Sequence, residues 1–269
     1  MMKPIVLLMI ALLLQDVGVA QSSFSTYFRS CHVDGSTTIY DYKNDRWFFS
    51  DSTDAHERTL PASTFKIMNS LIALQTGVIK DPYEVMAWDG EDKKLFGRSM
   101  PVWNSDTDLR SAYKNSTIWF YVELARRIGR DPYRHYLDIL DFGNGDLSER
   151  GTDFWNYGNF GVSPVDQIHF LVRLYDNALP FSVEAMHTVK SIMVSDSTDG
   201  SIFRDKTGWA RQENKDIGWW IGYVETQGNV YFFATRITKS VLAENPDFAE
   251  CRKYITKRIL KEIMARNQD

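Results

Sequence analysis

The sequence is short of the features that would place it in several common classes. Its 269 residues hold 2 cysteines and 5 histidines, too few for a dense disulfide framework or a cysteine-rich metal cluster. His32, His56, His135, His169 and His187 show no paired spacing of the H-E-x-x-H kind, so they read as ordinary surface or core residues and no metal is implied. Charge of neither sign dominates: 31 lysines and arginines stand against 35 acids, and a formal charge of -4 offers no cationic field to a phosphate backbone. Nucleic acid is therefore not an expected partner. Internal repeats, low-complexity tracts and Pro/Gly/Ser linkers are missing, which argues against separately folding domains. Beyond residue 20 no apolar run approaches the roughly 20 residues that cross a bilayer.

What is present begins with Lys3, an apolar run from Ile5 to Leu14, and small residues at Gly18-Val19-Ala20. This is the order of a secretory signal, so residues 1–20 are expected to be removed and the mature chain, 21–269, to reach the periplasm or the medium free of the membrane. A membrane anchor is the competing reading, but Gln15-Asp16 interrupts the run early. Phe28-Arg29-Ser30 before Cys31 does not resemble a lipoprotein acceptor. Export would permit a bond between Cys31 and Cys251; two buried thiols behaving as small hydrophobes is the alternative, and the sequence does not choose. Nothing in it specifies an oligomeric state.

Hydrophobic residues make up 43%, enough for a sizeable core. Ser36 to Tyr42 and Arg46 to Ser50, rich in β-branched and aromatic residues and split by Lys43-Asn44-Asp45, predict a hairpin. Ile67, Leu71 and Leu74 recur at helical spacing before Gly77, predicting a helix over 64–75. Residues of about 80–190 alternate helical segments (Trp119 to Ile128, Pro132 to Leu140, Pro164 to Asn177) with turns such as Gly143-Asn144-Gly145-Asp146. Strand signals return at Ile202 to Thr207, Gly218 to Glu225 and Val230 to Thr238, the last two joined at Gln227-Gly228-Asn229. A charged amphipathic helix closes the chain from about Asp247 to Ala265. The expectation is one α+β catalytic domain: a central, mostly antiparallel sheet built from both chain ends and flanked by terminal helices, with a helical lobe inserted and a cleft between them.

Ser63-Thr64-Phe65-Lys66 opens the first predicted helix, and a spacing of three puts hydroxyl and amine on one face. A serine hydroxyl needs such a neighbouring base to act as nucleophile, and helix N-terminal N–H groups can stabilise an oxyanion beside it. Ser111-Ala112-Tyr113-Lys114 matches the same pattern but opens no apolar-periodic helix, so it reads as a chance match on a solvated surface. Lys206-Thr207-Gly208 falls late, on an expected edge strand, where a cation and a hydroxyl could hold a substrate carboxylate and the glycine would let a ligand lie close. The plain alternative is a strand end with an exposed lysine. Ser116-Thr117-Ile118 precedes a helix; Ser116 could relay a proton to a leaving nitrogen, or could simply cap that helix.

With these motifs in order the chain resembles the class D serine β-lactamases, marked by S-x-x-K, S-x-V, a Y-G-N or F-G-N triplet, a tryptophan shortly after, and K-T-G; the likeness spans about 25–265. It departs at Ile118, where the family has valine and where the extra methylene would crowd the lysine. Phe142-Gly143-Asn144 and Tyr157-Gly158-Asn159 compete for the triplet; Trp155 follows only the first by about a dozen residues, so Phe142-Gly143-Asn144 is taken, with Ser163-Pro164-Val165-Asp166-Gln167 as the following helix start.

The resemblance implies hydrolysis of penicillin-type β-lactams through a Ser63 acyl-enzyme, a β-lactamase/transpeptidase-like fold and a role in antibiotic resistance. It implies Lys66 N-carboxylated by CO2 or bicarbonate and held by Trp155, no other cofactor, Ser116 as relay, and an oxyanion hole from the N–H groups of Ser63 and Trp209. Ile118, Lys206, Thr207, Gly208, Trp209 and Arg252 would line the substrate, Arg252 pairing with its carboxylate; an exposed arginine on a terminal helix is the ordinary alternative. Carbapenem-hydrolysing relatives bridge the cleft with an aromatic residue and a methionine; Met100 and Arg211, at the matching positions, fit neither. The rivals are a penicillin-binding transpeptidase or carboxypeptidase and a β-lactam-sensing receptor domain, both of which acylate without turnover.

Overall fold

The computed structural model describes residues 24–198 and 200–266. The expected signal segment, 1–20, lies outside the described residues. A helix over 24–30 (α1) leads into β1 (Asp34–Asp41) and β2 (Arg46–Phe49), which pair antiparallel with Tyr40 opposite Trp47, as the hairpin pattern predicts. A 3-10 turn, Ala62–Phe65, runs into α2 (Lys66–Gln75), so the helix expected from residue 64 starts its α-form two residues later. A two-stranded hairpin, β3 (Lys94–Leu95) and β4 (Arg98–Ser99), precedes the helices α3 (Leu109–Asn115), α4 (Ile118–Ile128), α5 (Arg130–Leu140), α6 (Pro164–Tyr175) and α7 (Val183–Ile192). The chain then returns to the sheet with β5 (Val194–Thr198), β6 (Ser201–Gln212), β7 (Lys215–Glu225) and β8 (Val230–Ser240), and ends in α8 (Phe248–Arg266).

The six-stranded sheet has the order β2-β1-β8-β7-β6-β5 and every pairing is antiparallel. Both chain ends therefore build it, as the sequence predicts. Its centre is buried on both faces, and β7 shows how one strand serves two cores: Trp219, Ile221 and Tyr223 pack with the helical lobe, while Trp220 and Val224 pack with α1 and α8. The two-residue side-chain period divides an almost wholly apolar strand between the layers. Within the lobe, Ser163 and Asp166 close a capping box at the start of α6, with Pro164 in its first turn.

The hairpin β3–β4, α3, α7 and β5 are not legible from pattern alone. Val194-Ser195-Asp196-Ser197-Thr198 lacks alternation, and it stays a strand because β6 offers an edge to pair with.

Cys31 and Cys251 are bonded, which answers the question the sequence leaves open and fastens the segment after α1 to the first turns of α8. The loop closed is long, 220 residues in sequence separation, so the unfolded chain loses considerable freedom. Exchanging both cysteines for serine should lower unfolding stability by about 2–5 kcal/mol. Guanidinium titrations of oxidised and reduced protein should reproduce that loss; coincident curves would contradict it.

Candidate active site

The site is built on the 3-10 turn at the end of the segment that crosses from sheet to lobe. Ala62 has φ of +51°, a left-handed backbone that costs a residue with a Cβ about 1–2 kcal/mol. Surrounding bonds hold it there: the Ala62 N–H donates to the Trp155 carbonyl at 3.0 Å, and the Trp219 indole N–H donates to the Leu60 carbonyl at 3.0 Å. Thr64 Oγ1 donates to the Pro61 carbonyl at 2.8 Å and accepts from Gln167 Nε2 at 2.9 Å, which ties α6 to the turn. Fixed from sheet, lobe and α6, the turn presents Ser63 with 9% of its surface exposed.

Lys66 is fully buried, and its Nζ lies 2.8 Å from Ser63 Oγ and 5.0 Å from the centre of the Tyr121 ring. Burial pushes its pKa well below the ordinary lysine value, the nearby Lys206 ammonium pushes the same way, and Asp153 opposes them. Burial thus favours the uncharged amine, the form that carries a lone pair for the hydroxyl proton. Trp155, also fully buried, stacks on Phe65 with ring centres 5.6 Å apart, and its indole N–H is buried with no hydrogen-bond partner, as is Thr117 Oγ1. An orphaned donor in a dry pocket is costly unless something accepts from it.

The opposite wall comes from β6. Lys206 is 3% exposed, its Nζ donates to Ser116 Oγ at 2.5 Å, and it sits 5.4 Å from the Tyr113 ring centre. Its pKa falls to about 7, chiefly through burial and then the Arg252 guanidinium, with Asp205 raising it and Lys253 lowering it. The exposed-lysine alternative is thus excluded. Ser116 is the C-cap of α3 at φ +55°, and Thr117 occupies the N-cap of α4, so the helix-cap reading of Ser116 gives way to its bond with Lys206. β5 covers only Ser201 to Arg204 of β6; from Lys206 onward the strand is an open edge, with half-buried Thr207 on it.

Gly208 and Arg252 take part of their meaning from distant segments, and the exposed-arginine alternative is excluded. A Cβ on Gly208 would lie 2.8 Å from the Pro61 carbonyl and 3.1 Å from Thr64 Cγ2. The glycine is thus needed so that β6 can approach the nucleophile turn, before any ligand is considered. Arg252 is not exposed: it is 8% accessible, its Nη1 donates to the Gly208 carbonyl, and its Nε has no partner. The Trp209 side chain is occupied elsewhere, its indole N–H on Asp216 at 2.9 Å and its ring against Phe248, and its chain neighbour Gly208 is the residue that meets the turn.

Phe142, Gly143 and Asn144 form no hydrogen bond with Ser63 or Lys66 among the described residues. Phe142 stacks on Phe65 at 6.4 Å, while Asn144 bridges the loop by donating to the Asn159 carbonyl at 2.7 Å and accepting from the Gly161 N–H at 3.0 Å. The two competing triplets are therefore bonded to each other, the second with Tyr157 exposed. Ile118 is half-buried at the start of α4, lining a surface depression with Trp103 and Trp119. Ser111 and Lys114 are both exposed on α3, as expected of a chance match.

Met100 and Arg211 line one cavity of about 790 Å³ next to Trp209. A residue that sequence reasoning missed spans it: Phe96, at the β3–β4 turn, lies 4.1 Å beneath the Arg211 guanidinium and 5.8 Å from the Trp209 ring. Also missed were Tyr113, Tyr121, Gln167 and Asp205, whose only signal is their place in space.

The chain matches the penicillin binding protein transpeptidase domain over residues 35–265. It is 36% identical over 268 residues to the β-lactamase OXA-20 of Pseudomonas aeruginosa, with 96% of each chain covered. The solved class D β-lactamase of Sebaldella termitidis superposes with a TM-score of 0.84 at 40% identity, covering 90% of this chain and 95% of that one. The regulatory protein BlaR1 of Bacillus licheniformis is 33% identical over 88% of this chain, but over 39% of its own length.

Proposed function

The chain belongs to the class D β-lactamases, serine hydrolases of the β-lactam ring within the transpeptidase family, and from that premise we propose that Ser63 is its nucleophile and Lys66 its general base. The observation that carries this is the 2.8 Å approach of a buried amine to a hydroxyl, opposite an open strand edge bearing Lys206.

Ser63 Oγ attacks the lactam carbonyl carbon as Lys66 takes its proton. The N–H groups of Ser63 and Trp209 receive the oxyanion. The lactam C–N bond breaks as Ser116 gives its hydroxyl proton to the leaving nitrogen and takes one from the Lys206 ammonium to which it is hydrogen-bonded; the proton that Lys66 took from Ser63 makes good that loss, so the acyl-enzyme forms with no net change of protons. Lys206 and Arg252 hold the substrate carboxylate, with Thr207 beside it on the open edge. Water then attacks the ester and frees Ser63.

Carboxylation of Lys66 by CO2 fits this pocket, because the neutral amine can react and the orphaned Trp155 indole N–H would gain an acceptor. The carboxylated form would supply a carboxylate oxygen as base for both halves of the cycle. The reading includes export by residues 1–20 to the periplasm or medium, penicillins as substrates and a role in resistance. In CO2-free buffer below pH 6, nitrocefin turnover should fall at least about tenfold and recover with bicarbonate. Full activity without CO2 would contradict the carboxylation, and a burst that stalls would favour a β-lactam-binding protein over a hydrolase.

A further inference from the structure

Ser36 on β1, Arg236 on β8, Trp219 on β7 and Gly208 on β6 stand opposite one another in register, one row across four strands. Residues paired in this way share a face of the sheet, and here each meets the next stretch of the segment that leads to Ser63. Ser36 Oγ donates to the Asp54 carboxylate. Arg236 Nη1 donates to the Glu57 carbonyl at 2.7 Å and to Thr59 Oγ1 at 3.3 Å, while Nη2 donates to the Asp54 carbonyl at 3.3 Å and to its carboxylate. Trp219 holds the Leu60 carbonyl at 3.0 Å, and Gly208 leaves room for the Pro61 carbonyl, which a Cβ would meet at 2.8 Å. Row and segment thus advance together from residue 54 to residue 61, and Ser63 stands two residues further on.

Arg236 makes the most contacts of the four. It is 3% exposed, and its guanidinium lies 5.6 Å from the Trp219 ring centre, so it also braces the next member of the row. Its Nε has no partner among the described residues. A buried ion pair such as that with Asp54 adds little net stability over apolar residues of the same volume, and its best-attested use is to select one arrangement among several. The arrangement that needs selecting lies just downstream. Ala62, at φ +51°, is in a conformation that a residue with a Cβ keeps only where its surroundings over-determine it. Thr59 is doubly held, by Arg236 and by two backbone bonds with Val162 at 3.1 and 2.9 Å.

We propose that Arg236 is a positioning residue and that its row is the seat of the nucleophile: by fixing residues 54–60 on the sheet, it keeps Ala62 left-handed and Ser63 Oγ within reach of Lys66. This rests on the reading of Ser63 as nucleophile and deepens it. Arg236 acts through the chain, since its hydrogen bonds go to Asp54, Glu57 and Thr59 and none to Ser63 or Lys66. The guanidinium suits the task because its rigid fork serves several acceptors at once, where a lysine brings a single ammonium and a methionine brings no donor.

In Arg236→Met the acylation rate constant for nitrocefin, read by stopped flow well below the melting temperature, should fall by about 100-fold, because a displacement on the order of 1 Å at a reacting group costs that much. Arg236→Lys should recover part of the loss. Ala62→Gly supplies the discriminating readout, since glycine takes a positive φ without strain and needs no seat to keep it there. Placed in Arg236→Met, it should change acylation at least about fivefold more favourably than the same substitution does in the parent enzyme. Equal effects in the two backgrounds overturn the proposal. So does a lowered melting temperature with an unchanged acylation rate, which is all that a merely structural ion pair would give. If Arg236→Met proves unfolded by circular dichroism, the cycle is run with Arg236→Lys, whose smaller loss should show the same favourable excess, and its absence overturns the idea. Failure of the wild type to turn over nitrocefin would remove the underlying reading; normal turnover with equal effects of Ala62→Gly removes only the role of the row.

Discussion

Ser63→Ala should lower kcat for nitrocefin by on the order of 10^4-fold or more while leaving the fold intact. The side chain removed is the attacking atom itself, and the recess offers no substitute. Ser116 is engaged by Lys206, Thr64 donates its hydroxyl proton to the Pro61 carbonyl, and Thr117 Oγ1 is buried without a partner. The alanine methyl asks for no new space in a turn secured by Ala62, Leu60 and Thr64, so circular dichroism and melting should be nearly unchanged. Substrate binding through Lys206 and Arg252 should persist, because neither depends on the Ser63 hydroxyl. Steady-state turnover by the purified variant decides it, and activity within tenfold of wild type would remove Ser63 from the chemistry.

Lys66→Ala should have the second largest effect, and of a different kind. Loss of a general base slows each proton transfer it serves by about 10^2- to 10^4-fold. Here the same side chain serves both acylation by Ser63 and attack by water. Acylation has a strained, activated ring as its driving force, whereas ester hydrolysis has none, so deacylation should suffer more. The variant should give a slow, stoichiometric burst and then stop. Stopped-flow traces with nitrocefin would show it; sustained turnover at the wild-type rate would mean that another group provides the base. The wild type should itself lose activity as pH falls, because protonation of Lys66 removes the lone pair that burial preserves.

Much of this site can be read from the chain because its key contacts are local or ordered along it. Ser63 and Lys66 meet because three residues make nearly one helical turn, and the structure brings their atoms to 2.8 Å. Lys206 follows from a strand pattern, whereas Trp155 is singled out only by the resemblance to the class D family, whose tryptophan follows its triplet by about a dozen residues. The sheet of both chain ends is legible because β1, β7 and β8 are short runs rich in β-branched and aromatic residues, the last two joined by a turn.

What escapes is decided between distant segments. An arginine near the start of a charged helix looks alike whether it faces water or a strand, and only the docking of α8 on β6 buries Arg252. Gly208 has its meaning from the Pro61 carbonyl, which lies far off in sequence. Pairing of Cys31 with Cys251, the meeting of Phe96 with Arg211, and the bond from Ser195 to Asp205 likewise need the fold before they exist. β5 is legible only through its partner, since Val194-Ser195-Asp196-Ser197-Thr198 carries a loop-like sequence.

The central claim, that the Ser63 hydroxyl is the group that opens the lactam, is tested most directly by weighing the stalled intermediate. Lys66→Ala incubated with benzylpenicillin and digested should carry one intact substrate mass on the peptide containing Ser63. An unmodified protein, or an adduct on another serine such as Ser111, would contradict the account.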